Sequence, residues 1–168
     1  MESKAKILGH AAHETLIPFP LGLLVTAVVF DVIFLITGEG EIANVAWWMI
    51  AAGIVGGLLA APFGWIDWFA IPNGTRAKSV GLTHGLGNVI LLVLFAISWL
   101  LRRDAPEDPG AVALILSFAG LALGAVTGWL GGELVDRHAV GVDEGAHLNS
   151  PNSLSGRPAS EGARPQSA

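Results

Sequence analysis

Residues 18–37 read PFPLGLLVTAVVFDVIFLIT and carry a single charged side chain, that of Asp31. A helix needs roughly 20 apolar residues to cross the hydrocarbon core of a bilayer, and this run has that length. Lipid offers no partner to an open strand edge, so a lone span of this kind must be helical. Pro18 and Pro20 fall in the first turn, where a missing N–H costs nothing. The run therefore predicts a membrane-spanning helix.

Three further runs of the same character follow. They cover residues 43–70, 80–101 and 111–135, and clusters of glycine or proline separate them at 38–41, 72–75 and 106–110. The pattern predicts an all-α fold, an integral membrane four-helix bundle formed by residues 1–138. We expect residues 139–154 to form a cytoplasmic segment docked on the bundle. The composition of residues 155–168 predicts a disordered tail.

The amino-acid composition excludes most classes of soluble protein. Of the 168 residues, 14% are charged and 52% are hydrophobic, and the mean hydropathy is +0.61. An ordinary soluble domain carries about 25% charged residues. The absence of cysteine excludes a disulfide framework and any Cys-ligated zinc or iron–sulfur site. The net charge of −5 argues against a nucleic-acid partner and leaves the lipid bilayer as the main surroundings.

The orientation follows from the basic residues beside the helix ends. Two of them, Arg102 and Arg103, lie in the loop between the third and fourth helices. The side that holds both termini and the loop between the second and third helices carries Lys4, Lys6, Arg76, Lys78 and Arg137. Because basic residues concentrate on the cytoplasmic side, we expect both termini in the cytoplasm.

Glycine spacing suggests an internal repeat. Gly64-Trp65 aligns with Gly128-Trp129, and the matching step for the first and third helices aligns His13 with His84. The bundle is thus interpreted as a duplicated two-helix hairpin. The fourth helix also places a glycine at every fourth position, which predicts close backbone packing against a neighbour: Gly120, Gly124, Gly128 and Gly132.

Polar residues gather at the end of the bundle that holds the termini, and they suggest haem b. Axial ligation needs two imidazoles on facing helices at similar depth, which His13 and His84 satisfy. The other candidates there are a second histidine, an amide one turn from His84 and two tryptophans that can flank a porphyrin: His10, Asn88, Trp65 and Trp129. The leading hypothesis is therefore a haem b-binding electron-transfer protein with a redox partner protein.

Three alternatives stay open. His13 and His84 can form a non-haem metal site with carboxylates. Asp31, Asp67 and Glu133 can relay protons or ions. The polar groups can also satisfy one another in a membrane structural or interaction protein without a cofactor. No G-x-S-x-G, phosphate-loop or H-E-x-x-H motif is present, so the sequence does not decide whether the protein is an enzyme.

Asp31 lies away from that cluster, near the other end of its helix. Ser98 and Ser117 are expected at the same depth, so the three side chains predict a hydrogen-bonded structural layer. No cation is expected beside Asp31, and burial without a cation favours the protonated carboxyl.

The chain resembles a family of predicted bacterial membrane proteins, domain-of-unknown-function family 2231. The resemblance covers most of residues 9–154, and its motifs are Gly9-His10-Ala-Ala-His13, Phe19-Pro20-Leu-Gly-Leu, Gly64-Trp-Ile-Asp67-Trp68, Gly81-Leu-Thr-His84-Gly-Leu-Gly-Asn88, Gly128-Trp-Leu-Gly-Gly132-Glu133-Leu-Val and Gly141-Val-Asp-Glu-Gly-Ala-His147-Leu-Asn149. It implies a multi-pass domain of the bacterial inner membrane. Relatives are sometimes fused to Rieske or cytochrome c domains, which points to electron transfer but assigns no activity. It also implies that His147 lies near the polar cluster. Ala11 departs from the proline that the family often has after its first histidine.

Overall fold

A computed structural model describes residues 1–163 and confirms the all-α architecture. Two short strands, β1 (Lys6–Ile7) and β2 (His10–Ala11), precede a one-turn helix α1 (Ala12–Leu16). The long helices are α2 (Pro18–Thr37), α3 (Gly40–Ala70), α4 (Arg76–Arg102) and α5 (Ala111–Asp136), and a 3₁₀ turn (Ser153–Ser155) follows. The four spans Ala12–Thr37, Gly40–Ala70, Arg76–Arg102 and Ala111–Asp136 are long and apolar enough to cross a membrane.

The four long helices form a square. α2 packs on α3, α3 on α4, and α4 on α5, and the square closes with a looser contact between α2 and α5. α2 and α4 are therefore diagonal partners across the bundle. The core lies in the middle of the span and centres on Leu24, Val28, Ile50 and Phe95.

Buried positions repeat between the two halves of the chain. In α2 and α4, Leu24 corresponds to Phe95 and Asp31 to Arg102, at a common separation of 71 residues. Buried positions of α3 recur in α5 at a second constant spacing: Ala46 with Ala113, Ile50 with Ser117, Gly53 with Gly120, and Ala60 with Thr127. The buried positions of the two hairpins thus correspond, as the predicted duplication requires.

The glycines of α5 do not pack backbone to backbone as predicted. A Cβ added to Gly120 would lie 2.7 Å from a ring carbon of Phe95, and one added to Gly124 would lie 3.1 Å from Leu91. Side chains of α4 therefore fill these two positions. A Cβ added to Gly128 or Gly132 would meet nothing within 4 Å, because these glycines border a cavity.

The end of the bundle away from the termini is closed by a buried ion pair. The guanidinium of Arg102 donates to both carboxylate oxygens of Asp31, at 2.6 and 2.8 Å, and both side chains are fully buried. Arg102 also donates to Ser98 and Ser117, whose hydroxyls lie 2.9 Å apart. The predicted layer with Ser98 and Ser117 therefore exists. The expectation that no cation lies beside Asp31 is wrong, because α4 extends to Arg102, whose guanidinium contacts Asp31.

The chain ends lie together at the opposite end and form what we call the cap, residues 1–11 and 139–154. The backbone N–H of Gly141 donates to the carbonyl of Met1, and Lys6 forms an ion pair with Asp143 at 2.6 Å. Two contacts hold the pKa of the Glu2 carboxyl below its usual value. The larger effect comes from the hydrogen bond that the backbone N–H of Glu144 donates to it, and the smaller one from the ammonium of Lys6. Of the predicted disordered tail, residues 155–163 are largely exposed, and residues 164–168 lie outside the described residues.

Candidate functional site

Two imidazoles face each other just inside the capped end. His13 comes from α1, the turn that leads into α2, and His84 comes from the third turn of α4. Their ring centroids are 6.3 Å apart, and the ring planes are nearly perpendicular, at 87°. The equivalent depth of the two histidines, predicted from the alignment of the halves, therefore brings the rings together.

Each imidazole is hydrogen-bonded to a backbone carbonyl of another helix, His13 to α3 and His84 to α5. Nδ1 of His13 lies 3.0 Å from the carbonyl oxygen of Ala60, and Nδ1 of His84 lies 2.8 Å from that of Thr127. A carbonyl oxygen only accepts, so Nδ1 of each ring must be the donor. In the neutral imidazole this leaves the lone pair on Nε2. That arrangement is the one commonly found in metal-ligating histidines, whose other nitrogen is held by an acceptor.

A glycine makes room for each ring. A Cβ added to Gly64 would lie 2.8 Å from Cε1 of His13, and one added to Gly131 would lie 3.1 Å from Cε1 of His84. Each glycine stands four residues after the carbonyl that holds the same ring. The predicted alignment of Gly64 with Gly128 is therefore wrong, because Gly131 occupies the equivalent place, nearly one helical turn further along.

The surroundings of the two rings differ at Nε2. The side-chain amide nitrogen of Asn88 lies 3.2 Å from Nε2 of His84 and donates to the His84 carbonyl at 2.9 Å. Thr127, which no sequence motif indicated, donates its hydroxyl to the side-chain amide oxygen of Asn88 at 3.0 Å. At the positions equivalent to Asn88 and Thr127, the first hairpin has Ile17 and Ala60. His84 is thus held by a polar network, whereas for His13 the hydrogen bonds of the described residues engage Nδ1 alone.

A cavity of about 710 Å³ opens beside the two imidazoles. It extends towards the middle of the span, where the core residues Leu24 and Phe95 limit it. Aliphatic side chains and glycines from all four long helices form most of its wall, among them Gly57, Gly64, Gly120, Gly124, Gly128 and Gly131. Trp65 also lines the cavity, with its ring over Gly85. The wall is therefore smooth and apolar, with the polar groups concentrated at the capped end.

Several predicted site residues lie elsewhere. Trp129 is 65% exposed and does not line the cavity, so it cannot flank a group between the imidazoles. His10 is exposed on β2, with Nε2 at 3.4 Å from the hydroxyl of Ser153. His147 contacts Ser150 and the backbone of Glu161 within the C-terminal segment rather than the polar cluster.

The three carboxylates predicted as relay groups are also separated. Asp67 lines the cavity, but it accepts hydrogen bonds from the hydroxyl of Ser3 at 2.8 Å and the N–H of Lys4 at 2.6 Å. It therefore anchors the cap. Glu133 is half-buried at the end of α5, and Asp31 pairs with Arg102 at the opposite end. Within residues 1–163, no three His, Asp or Glu side chains come together as a metal site.

A family model described as a predicted membrane protein (DUF2231) matches residues 9–144. No curated protein and no solved structure matches the chain. The matched region contains α1 to α5, both facing imidazoles, and all the glycines named in the cavity wall. The chain therefore belongs to the DUF2231 family of predicted membrane proteins.

Proposed function

We propose that the protein binds haem b in the membrane, with His13 and His84 as the two axial ligands, and that it carries electrons. The observation that carries the proposal is the imidazole pair, in which Nδ1 of each ring is bound to a carbonyl and a cavity lies beside both rings. When bound, haem supplies one-electron chemistry, and the protein tunes it through the axial ligands and the surrounding apolar wall.

The separation of the rings fits a single metal between them. A metal–imidazole bond is about 2 Å long, and a ring nitrogen lies roughly 1 Å from its ring centroid, so two rings that held one metal would have centroids about 6 Å apart. The observed separation is 6.3 Å. Nε2 of His84 would exchange its contact with Asn88 for the metal, and Asn88 would keep its bond to the His84 carbonyl.

The wall beside the rings fits a flat group. On α5, Gly128 and Gly132 line the cavity, and a Cβ added to either would meet nothing within 4 Å. A flat group beside the two imidazoles would therefore find room towards α5. No third ligand lies close among the described residues, which favours a cofactor with its own equatorial ligands over a bare metal ion.

A cofactor-free structural role is the second candidate, and one observation favours it. The described hydrogen bonds engage Nδ1 of both rings, and Asn88 also engages Nε2 of His84. Three of the four ring nitrogens thus have polar partners without any ligand, and such a network can simply lock helix ends together.

The deciding experiment is an absorption spectrum of the protein purified from cells supplied with haem precursor. We expect a Soret band that His13→Ala and His84→Ala each abolish, while both variants still insert and fold. His10→Ala is the matched control, because His10 is exposed on β2 and should not affect haem content. Melting temperature in detergent is recorded in parallel. A colourless wild type, or full haem retention in both the His13 and His84 variants, would leave the structural role as the better account.

A further inference from the structure

The cavity has a side opening between α2 and α5, the least closely packed pair of neighbouring helices. On α2, the lining residues Leu21 and Val25 are 53% and 36% exposed. On α5, Ala125 and Gly128 line the cavity and are also exposed. These residues lie within the membrane-spanning segments, so the opening faces lipid acyl chains.

The cap lies across the route from the water at the other side of the site. Val140 and Gly141 of the cap line the cavity, and the carboxylate of Glu14 packs against Gly141. The cap is fastened to the bundle by Asp67 and to itself by the ion pair between Lys6 and Asp143. An entering molecule would have to break these bonds, whereas the side opening is bordered by apolar groups and hydrogen atoms of glycine.

We infer that the ligand of this cavity enters sideways from the bilayer, through the opening between α2 and α5, and is a membrane-dissolved flat amphiphile. The apolar wall of the cavity and its polar end match such a molecule, whose apolar body follows the helices and whose polar centre reaches the imidazoles. The identification of this amphiphile as haem rests on the proposed function. The direction of entry rests on the opening and the cap alone.

The first experiment tests access without any cofactor. The chain has no cysteine, so Gly128→Cys provides a single site for a nitroxide label, and an added Cβ there meets nothing within 4 Å. Collisions with oxygen, which partitions into lipid, and with the water-soluble reagent nickel-EDDA are measured in phosphatidylcholine vesicles. Val126→Cys, on the exposed face of α5, gives the lipid reference. Leu148→Cys gives the water reference, because Leu148 is a fully exposed residue of the cap.

We expect the label at residue 128 to match the lipid reference, with frequent oxygen collisions and few nickel collisions. Nickel collisions close to those at residue 148 would mean that water reaches the cavity past the cap, and this would overturn the inference. Low values for both reagents would mean that another polypeptide, such as a second copy, covers the opening, and this would overturn it as well.

The second experiment measures loading. Apoprotein in vesicles is mixed with vesicles of the same lipid that contain hemin, and the Soret band is followed with time. Val25→Trp places a large ring at the edge of the opening and should slow uptake several-fold. Val29→Trp is the control, since Val29 is exposed on α2 but does not line the cavity. Equal uptake rates in the two variants would refute sideways entry, whereas failure of every variant to bind hemin would refute haem and leave the access result standing.

Discussion

The buried ion pair between Asp31 and Arg102 should dominate stability at its end of the bundle. Neither side chain has exposed surface, and the guanidinium donates two charge-assisted hydrogen bonds of 2.6 and 2.8 Å. Such bonds are worth roughly 1.5–3 kcal/mol each, or about 3–6 kcal/mol together. In soluble proteins, loss of one partner of a buried pair costs about 3–5 kcal/mol. We therefore expect Asp31→Asn to lower the free energy of unfolding by about 4 kcal/mol.

The assay is SDS-induced unfolding of the purified protein in mixed micelles, followed by tryptophan fluorescence. Arg103→Gln is the control, because it removes an exposed ion pair with Asp104 and should cost less than about 1 kcal/mol. The double variant Asp31→Leu, Arg102→Met should recover most of the stability, since it leaves no unpaired charge. A loss below about 1 kcal/mol for Asp31→Asn would refute the reasoning, because water would then have to reach Arg102.

Two further predictions concern packing and orientation. Gly120→Leu forces a side chain against the ring of Phe95 and should destabilise the protein by about 1–3 kcal/mol, whereas Gly128→Leu enters the cavity and should cost much less; melting temperatures in detergent that fall equally would contradict the difference. We also propose that both termini are cytoplasmic, because burial of Arg102 leaves Arg103 as the exposed base of its loop. Topology reporters fused at Glu107 and after residue 154 should then report periplasm and cytoplasm, and the reverse result would overturn the orientation.

The helices were predictable because a long apolar run in lipid can satisfy its own backbone hydrogen bonds only as a helix. The predicted first span, residues 18–37, coincides with α2, whereas α4 begins at Arg76, four residues before the predicted start. Hydropathy finds the part of a helix that lies in lipid, but it does not find the polar turn beyond it. That turn forms because the Thr75 side chain accepts a hydrogen bond from the N–H of Lys78 and caps the helix.

Of the candidate site, the sequence predicted only those contacts that follow from the depth of a residue along its helix. His13 and His84 lie at equivalent depth in the two hairpins, and the structure brings them together. Whether Trp129 lines the cavity depends on which face of α5 turns inward, and the sequence of a helix that is apolar on all sides does not show that face. Its neighbour Gly128 borders the cavity, so the next residue, turned by about 100° on the helix, faces lipid. Arg102 was assigned to a loop because its partner, Asp31, comes from a distant part of the chain, and the local sequence does not show that contact.

The differences between the two halves explain where the cavity lies. At one end, equivalent positions carry Asp31 and Arg102, and their opposite charges pull the diagonal helices α2 and α4 together. At the other end, equivalent positions carry His13 and His84, whose Nδ1 atoms bond to α3 and α5 instead of to each other. The same diagonal is therefore closed by an ion pair at one end and held open by backbone carbonyls at the other. A repeat of identical halves would place like charges opposite each other at residues 31 and 102, so divergence of the halves is what permits a closed end and an end with a cavity in one bundle.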